Sequence, residues 1–300
     1  MERQDIVVLG SGLTGCYAAY KTGGLLVPDD YSYRRYNSSK RSHYIFLRYS
    51  PKNRGLLKEL NIDFNRFKFK IGYKKGEDIL DKPNKAMIKA LNNKAYGAND
   101  FERLLELNRK EMCSVDYTTL YNNLYGKVSD STAKKCLKKI DLFNKKIIIA
   151  DNTEISYNKL ISTIPLDNFI NRVTTSNRNS SNYGLKVIPT YYYKAEDIGE
   201  YNQILDMNEG NKTLRFLNDG VSTIEESTEK KRGCLFENKY GRIAESGARY
   251  EKEFRHNIDV VDYIKKIKND GVYLAGRLGS WYPFQYTEIS IEQVDNIAGQ

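Results

Sequence analysis

Gly10, Gly12 and Gly15 stand in the pattern G-x-G-x-x-G directly after the β-branched run DIVVLG that begins at Asp5. That spacing suits a bound diphosphate. The first glycine allows a tight turn, the second lets a pyrophosphate approach the backbone, and the third lets the following helix pack closely on the strand. Ser11, Leu13 and Thr14 fill the positions between them, and a helix starting there aims unbonded amides and the positive end of its dipole at the anion. A dinucleotide is the expected ligand of residues 10–15, against the plainer reading of a glycine turn that serves packing alone. A complete unit of this kind continues through a second strand to an acidic residue about 20 residues on, which binds a ribose hydroxyl. Here that distance falls near Tyr33, Arg34, Arg35 and Tyr36, while Asp29 and Asp30 follow Pro28 in a loop-like stretch. The second strand and its acid are therefore expected to be missing.

Metal chemistry finds little support. Cys16, Cys113, Cys136 and Cys234 are scattered without a paired C-x-x-C, and His43 and His256 are the only histidines in 300 residues. Such spacing fits plain thiols of a reducing compartment, with no metal site expected. The net charge of +10 suits a polyanionic partner or a phosphate-bearing ligand, and a chain this rich in Lys, Asn, Tyr and Ile also acquires basic charge from composition alone. No apolar run approaches the length that spans a bilayer, and the chain enters a strand without a charged-then-apolar leader. A cytoplasmic protein without a membrane partner is expected.

The elements that must position the glycines follow from periodicity. DIVVLG is a buried parallel strand and SGLTGCYAAYK a helix; PDDYSYRRYNSSKRS is an exposed loop. HYIFLRY is a strand, and PKNRGLLKELNI a helix with Leu56, Leu57 and Leu60 inward. FKFKIGYKKGEDIL predicts a strand pair turning at Lys75-Gly76, and NDFERLLELNRKEM a helix. DSTAKKCLKKIDLF has helical spacing with Cys136, Leu137 and Ile140 inward and its lysines on a solvated face. KKIIIADNTEISYNKLISTIP is a strand, a turn at Asp151-Asn152 and a second, buried strand. Helix LDNFINRV, a Ser/Asn-rich linker and a strand-rich tract follow, and the chain closes as helix, strand, glycine turn and helix.

The closing stretch GVYLAGRLGSW resembles the C-terminal motif of the flavoenzyme superfamily that contains UDP-galactopyranose mutase, protoporphyrinogen oxidase and the flavin amine oxidases. YNKLISTIPLDNF is similar to the strand and T-x-P turn of that superfamily, and Gly23-Gly24 in TGGLLV to its glycine doublet. The resemblance covers both termini and the middle strand. It implies FAD as cofactor, held by Gly10, Ser11, Gly12, Leu13, Thr14, Gly15, Gly23, Gly24, Arg48, Gly276 and Arg277, with Glu288 and Ile289 at the start of the last helix. SHYIFLR is similar to the segment facing the flavin, which makes His43 or Tyr44 the candidate at the reacting ring. Trp281, Tyr282, Phe284 and Tyr286 suit a flavin wall or a core, and Tyr191 to Tyr193 with Arg215 a substrate sheet whose inward face the sequence leaves open.

Strands and helices at both ends around a different middle predict an α/β chain. Its Rossmann-like FAD-binding domain is discontinuous, formed by residues 1–55, 145–170 and 256–300, and residues 56–144 and 171–255 make an inserted mixed α+β substrate domain. The resemblance implies a flavoenzyme, either an oxidoreductase or a flavin-dependent mutase, acting on a small molecule with a nucleotide sugar among the candidates; a homo-oligomer is compatible with it. The missing strand motivates an alternative, a degenerate flavoprotein that has lost FAD and serves as a scaffold. YSYRRYNSSKRSHY, with aromatics beside cations, motivates a nucleic-acid-binding reading, without a motif to back it.

Overall fold

The computed structural model describes residues 2–29, 44–91, 108–174, 185–218, 222–245, 265–268, 270–279 and 287–299. Its organising element is a parallel sheet assembled from distant parts of the chain. β1 (Glu2–Leu9) lies between β2 (Leu25–Val27) and β10 (Glu154–Ser162), and β16 (Val272–Leu274) pairs with the far side of β10. All three pairings are parallel. β10 is long enough to serve two neighbours on that side: Leu160 to Ser162 pair with β16, whereas Glu154 to Ser156 pair antiparallel with β9 (Lys146–Ile149), which continues to β8 (Leu137–Asp141).

Side-chain alternation along these strands feeds two cores. Val7, Leu9, Leu160, Val272 and Leu274 face one cluster, which the β8–β9 hairpin fills with Leu137, Ile140, Ile147 and Ile149. Helix α5 (Leu166–Arg172) adds Leu166, Phe169 and Ile170. Val8, Leu26 and Ile161 face the other, where four helices gather: α1 (Leu13–Thr22), α2 (Pro51–Glu59), α4 (Tyr117–Gly126) and α7 (Thr287–Ala298). Leu56, Leu57 and Leu60 point inward as the spacing of α2 predicts, and Ser50 caps that helix by accepting from the Asn53 amide at 3.2 Å. A three-stranded sheet, in the order β3 (Tyr44–Arg48), β7 (Glu111–Asp116), β4 (Asn65–Lys68), closes this side with Leu47, Cys113 and Val115.

The middle of the chain builds a seven-stranded sheet. Its order is β15 (Phe236–Glu245), β11 (Leu185–Ala195), β14 (Thr223–Ser227), β13 (Thr213–Asn218), β12 (Gln203–Asp206), β5 (Ile71–Lys75) and β6 (Asp78–Leu80). Every pairing is antiparallel except β12 with β5. Helix α3 (Lys85–Leu91) follows β6, and α6 (Gly276–Gly279) is a single turn after β16. The protein is thus a mixed α/β chain with several mixed sheets.

One expectation for this region fails. The Lys-rich segment around Leu137 is a strand, not a helix: Leu137, Ile140 and the solvated lysines fit both periods over so short a run, and pairing with β9 decides it. The helix expected over residues 99–112 and the linker after Thr174 fall largely outside the described residues.

Candidate functional site

The turn between β1 and α1 gives each glycine of the motif a different task. Gly10 has φ +97°, a conformation that L side chains rarely adopt, and a Cβ there would lie 2.7 Å from Thr163 Oγ1. Gly15 packs closer still, since a Cβ would fall 1.6 Å from the Gly10 carbonyl oxygen. Gly12 is the exception: apart from its chain neighbours, no atom of the described residues lies within 4 Å of where its Cβ would be. Gly12 also caps α1 with no side-chain hydrogen bond, and the first turn of the helix carries no acid. A helix start without a side-chain cap, with no acid in its first turn and with room beside Gly12 among the described residues suits a phosphate cradle.

Two residues outside the motif hold this turn in place. Thr163, at the T-x-P segment, donates its hydroxyl to the Leu9 carbonyl at 2.8 Å, and its backbone N–H donates to the same oxygen at 2.9 Å. Tyr121 on α4 reaches over to donate its hydroxyl to the Ser11 carbonyl at 2.8 Å. Neither role was visible in the sequence, because each joins segments more than 100 residues apart. Cys16 also turns its thiol toward the Ser11 carbonyl, at 3.5 Å, and burial pushes its pKa up to about 12.

The structure corrects the expected gap. Leu25 to Val27 form the second strand of the unit, paired in parallel register with Val7 to Leu9, and Val27 accepts a hydrogen bond from the Gly10 amide at 2.9 Å. Asp29 follows two residues later, fully buried, nineteen positions after Gly10. That spacing is close to the roughly 20 residues that separate the glycines of a dinucleotide unit from its acid. The strand has only three residues and ends at Pro28, too short a run to carry a period of its own. Gly23 and Gly24 consequently are the turn that feeds this strand. Gly23 is the left-handed C-cap of α1 at φ +65°, and a Cβ on Gly24 would lie 3.0 Å from Ile6, so the chain reverses in two residues only because both are glycine.

The C-terminal motif arrives at the same place from the other side of the sheet. Gly276, at φ +78°, lies against Thr14, with a Cβ contact of 3.1 Å, and a Cβ on Gly279 would meet the Ser162 carbonyl oxygen at 2.7 Å. Gln293 of α7 clamps this turn: it accepts from the Gly276 amide at 3.1 Å and donates to the Leu274 carbonyl at 2.9 Å. Arg277 lies between the two glycines, and Glu288 and Ile289 occupy the first turn of α7. Residues 10–15, 162–164 and 276–279 thus converge at the carboxyl ends of β1, β10 and β16, the edge at which open parallel sheets bind ligands. The likeness to known proteins is one of fold.

No protein-family model matches the chain, and none of the curated proteins does. Among solved structures, it is similar to reduced UDP-galactopyranose mutase with a TM-score of 0.66 at 13% identity, over 99% of this chain and 96% of the other. The conjugated-linoleate-producing fatty acid isomerase of P. acnes aligns with a TM-score of 0.64 at 9% identity, over 99% and 98%. A protein from Pyrococcus furiosus aligns with a TM-score of 0.50 at 10% identity, over 89% and 85%.

The remaining expected residues divide. Tyr44 opens β3 and Arg48 closes it, exposed and paired in register with Met112. His43, Trp281, Tyr282, Phe284 and Tyr286 lie outside the described residues. The same strand carries Phe46, whose ring meets those of Phe67 and Phe69 edge-on at 5.5 and 5.1 Å. Leu13, Thr14, Tyr17, Leu47, Leu56 and Ile291 border a small apolar pocket where α1, α2, α4, α7 and β3 meet. On the large sheet, register sets Tyr192 opposite Glu226 and Tyr193 opposite Glu225, so Tyr192 shares a face with Arg215, whose Nε donates to buried Glu226 at 2.5 Å. Among the described residues no His, Cys, Asp or Glu cluster could hold a metal, and no helix is long and apolar enough to cross a membrane.

Proposed function

We propose that the chain binds FAD across the carboxyl edge of its parallel sheet and works as a flavoenzyme on a small molecule. The observation that supports this most is the convergence of two glycine turns, residues 10–15 and 276–279, with the Thr163 segment on one edge, and the space that the described residues leave in front of Gly12. The residues present fit such a group. The α1 amides after Gly12 would hold the pyrophosphate, Asp29 a ribose hydroxyl, and Gly276, Arg277 and the α7 start at Glu288 and Ile289 the flavin end, with Arg48 and Tyr44 or His43 toward the substrate. When bound, FAD would supply hydride or electron chemistry, and the protein's part is to place it, shield it from water and orient the substrate.

In this reading the cofactor half is drawn from residues 1–55, 145–170 and 256–300. We add α4 and the β8–β9 hairpin to it, because their side chains fill the clusters against the parallel sheet. The rest of residues 56–144 and 171–255 forms the substrate half. A nucleotide sugar is the first substrate to test, on the strength of the fold likeness and of the Gly276 to Gly279 motif, with oxidisable amines second. The degenerate-scaffold reading stands as the alternative; we place it second because β2 and Asp29 offer a strand and an acid where a gap had motivated it.

The deciding experiment is the visible spectrum of the purified protein before and after adding FAD and a reductant, repeated with Asp29→Asn. A flavin spectrum that bleaches on reduction, with affinity lowered about ten-fold in the variant, a loss of about 1.4 kcal/mol, is expected. A colourless protein that takes up no FAD and gains no thermal stability from it would overturn the proposal.

A further inference from the structure

A second feature lies on the face of the parallel sheet opposite α1. The β8–β9 hairpin is rooted in the core by Leu137, Ile140, Ile147 and Ile149, with Leu142 packed partly against them. Its tip is a rigid turn. Asp141 accepts from the Asn144 amide at 3.0 Å and from the Asn144 side chain at 2.8 Å, and the Tyr157 amide donates to the Lys145 carbonyl at 2.9 Å. That turn holds Phe143 outward, 86% exposed and the most exposed large apolar residue among those described.

The hairpin is rich in lysine, and Lys139, Lys145 and Lys146 are the ones nearest the tip. Residues 134–146 contain Lys134, Lys135, Lys138, Lys139, Lys145 and Lys146 against one acid, Asp141, whose carboxylate is taken up by the turn. Lys146 pairs with Glu154 at 3.0 Å and Lys138 donates to Asn152 at 2.6 Å. Lys134, Lys139 and Lys145 have no ion pair among the described residues. A phenylalanine held in water at a convex, basic tip has two suitable partners in principle. Single-stranded nucleic acid needs a groove that tracks the backbone and successive stacking rings, whereas a lipid surface needs one apolar anchor and cations beside it. The hairpin offers one ring on a protrusion.

We propose that the β8–β9 hairpin docks the protein on an anionic phospholipid surface, Phe143 entering the headgroup boundary and Lys139 and Lys145 meeting the lipid phosphates. This contact lies on the surface of the bilayer and needs no spanning helix. It is independent of the FAD reading and revises the expectation of no membrane partner.

Sedimentation with vesicles tests it, comparing phosphatidylcholine alone with a mixture containing about one third phosphatidylserine. Binding is expected to the mixture and to fall steeply between about 0.05 and about 0.5 M salt. Each removed lysine should cost about five-fold in affinity, so Lys139→Gln with Lys145→Gln should lose about 25-fold. Phe143→Ser should lose at least about ten-fold, while Leu235→Ser, an exposed apolar site at 58%, should lose nothing. These side chains are exposed, and unchanged melting temperatures would show that the variants fold. Equal binding to both vesicles, unchanged binding by the lysine or Phe143 variants, or Phe143-dependent binding to a labelled oligonucleotide but not to vesicles would each overturn the proposal.

Discussion

Gly12→Ala and Gly15→Ala make the same chemical change three residues apart, and the structure predicts opposite outcomes. At Gly15 the new methyl would sit 1.6 Å from the Gly10 carbonyl oxygen and 2.9 Å from Thr163 Oγ1. Backbone, not a flexible side-chain end, must move. Overpacking of an ordinary core costs about 1–3 kcal/mol, and this clash belongs at or above the top of that range. At about 1.6 °C per kcal/mol for a 300-residue chain, Gly15→Ala should melt about 5 °C or more below the parent. At Gly12, apart from its chain neighbours, no atom of the described residues lies within 4 Å, and φ is −72°. Alanine is a poorer N-cap than glycine by roughly 0.5–1 kcal/mol, but restricting the unfolded chain returns about 0.4–1 kcal/mol, so the melting temperature should hardly change. Its effect should fall on binding instead, because the methyl enters the space a pyrophosphate needs; FAD affinity, followed by flavin fluorescence titration, should drop about ten-fold or more. A Gly12→Ala protein that melts as low as Gly15→Ala, or that binds FAD as tightly as the parent, would refute this division of labour.

Three further outcomes follow from the same geometry. Gln293→Leu strands the Gly276 amide and the Leu274 carbonyl, and should cost about 1–3 kcal/mol by chemical denaturation, with FAD affinity falling as the Arg277 turn loosens. Cys16, buried and with its pKa pushed up to about 12, should resist thiol reagents at pH 8 in the folded protein and react fully once unfolded. The Asn144 side chain, and then its amide, hold the Asp141 carboxyl below the usual carboxylate range. A depressed folded pKa gives stability that is complete above the unfolded value and disappears as pH falls through the folded one, so Asn144→Ala should flatten part of the acid loss of stability. An unchanged acid limb in that variant would refute the assignment.

How much of this was legible depended on whether a signal was local. DIVVLG, the three glycines and the apolar stripe of α2 all act within a dozen residues, and the structure has them as periodicity predicts. The Lys75-Gly76 hairpin and the Asp151-Asn152 turn were equally readable, since Gly76 and Asn152 supply the positive φ such turns need. β2 was missed because three apolar residues before a proline carry no period, and only the edge of β1 makes them a strand. Asp29 was seen but misjudged for the same reason. Thr163, Tyr121 and Gln293 were silent: a threonine, a tyrosine and a glutamine become supports only when the sheet sets them beside a carbonyl or amide from elsewhere in the chain. β8 differs from the expected helix because its five residues fit both spacings, whereas β9 is the strand that KKIIIA predicts.

The pairing of β1 with β10 also governs when the protein can fold. Glu2 meets Ile155 and Leu9 meets Ser162, so the first strand has no long partner until half the chain exists. Loop closure over such a span is slow, and the nascent N-terminus must keep the apolar run around Val7 and Val8 out of other associations meanwhile. The glycine turn inherits the delay, because Thr163 and Gly276 are both part of its final shape. A ribosome carrying the first 130 residues would display the whole G-x-G-x-x-G motif and no cradle. On the proposed FAD reading, capture of the cofactor would belong to the last stage of folding, after Gly276 has emerged, and not to the first.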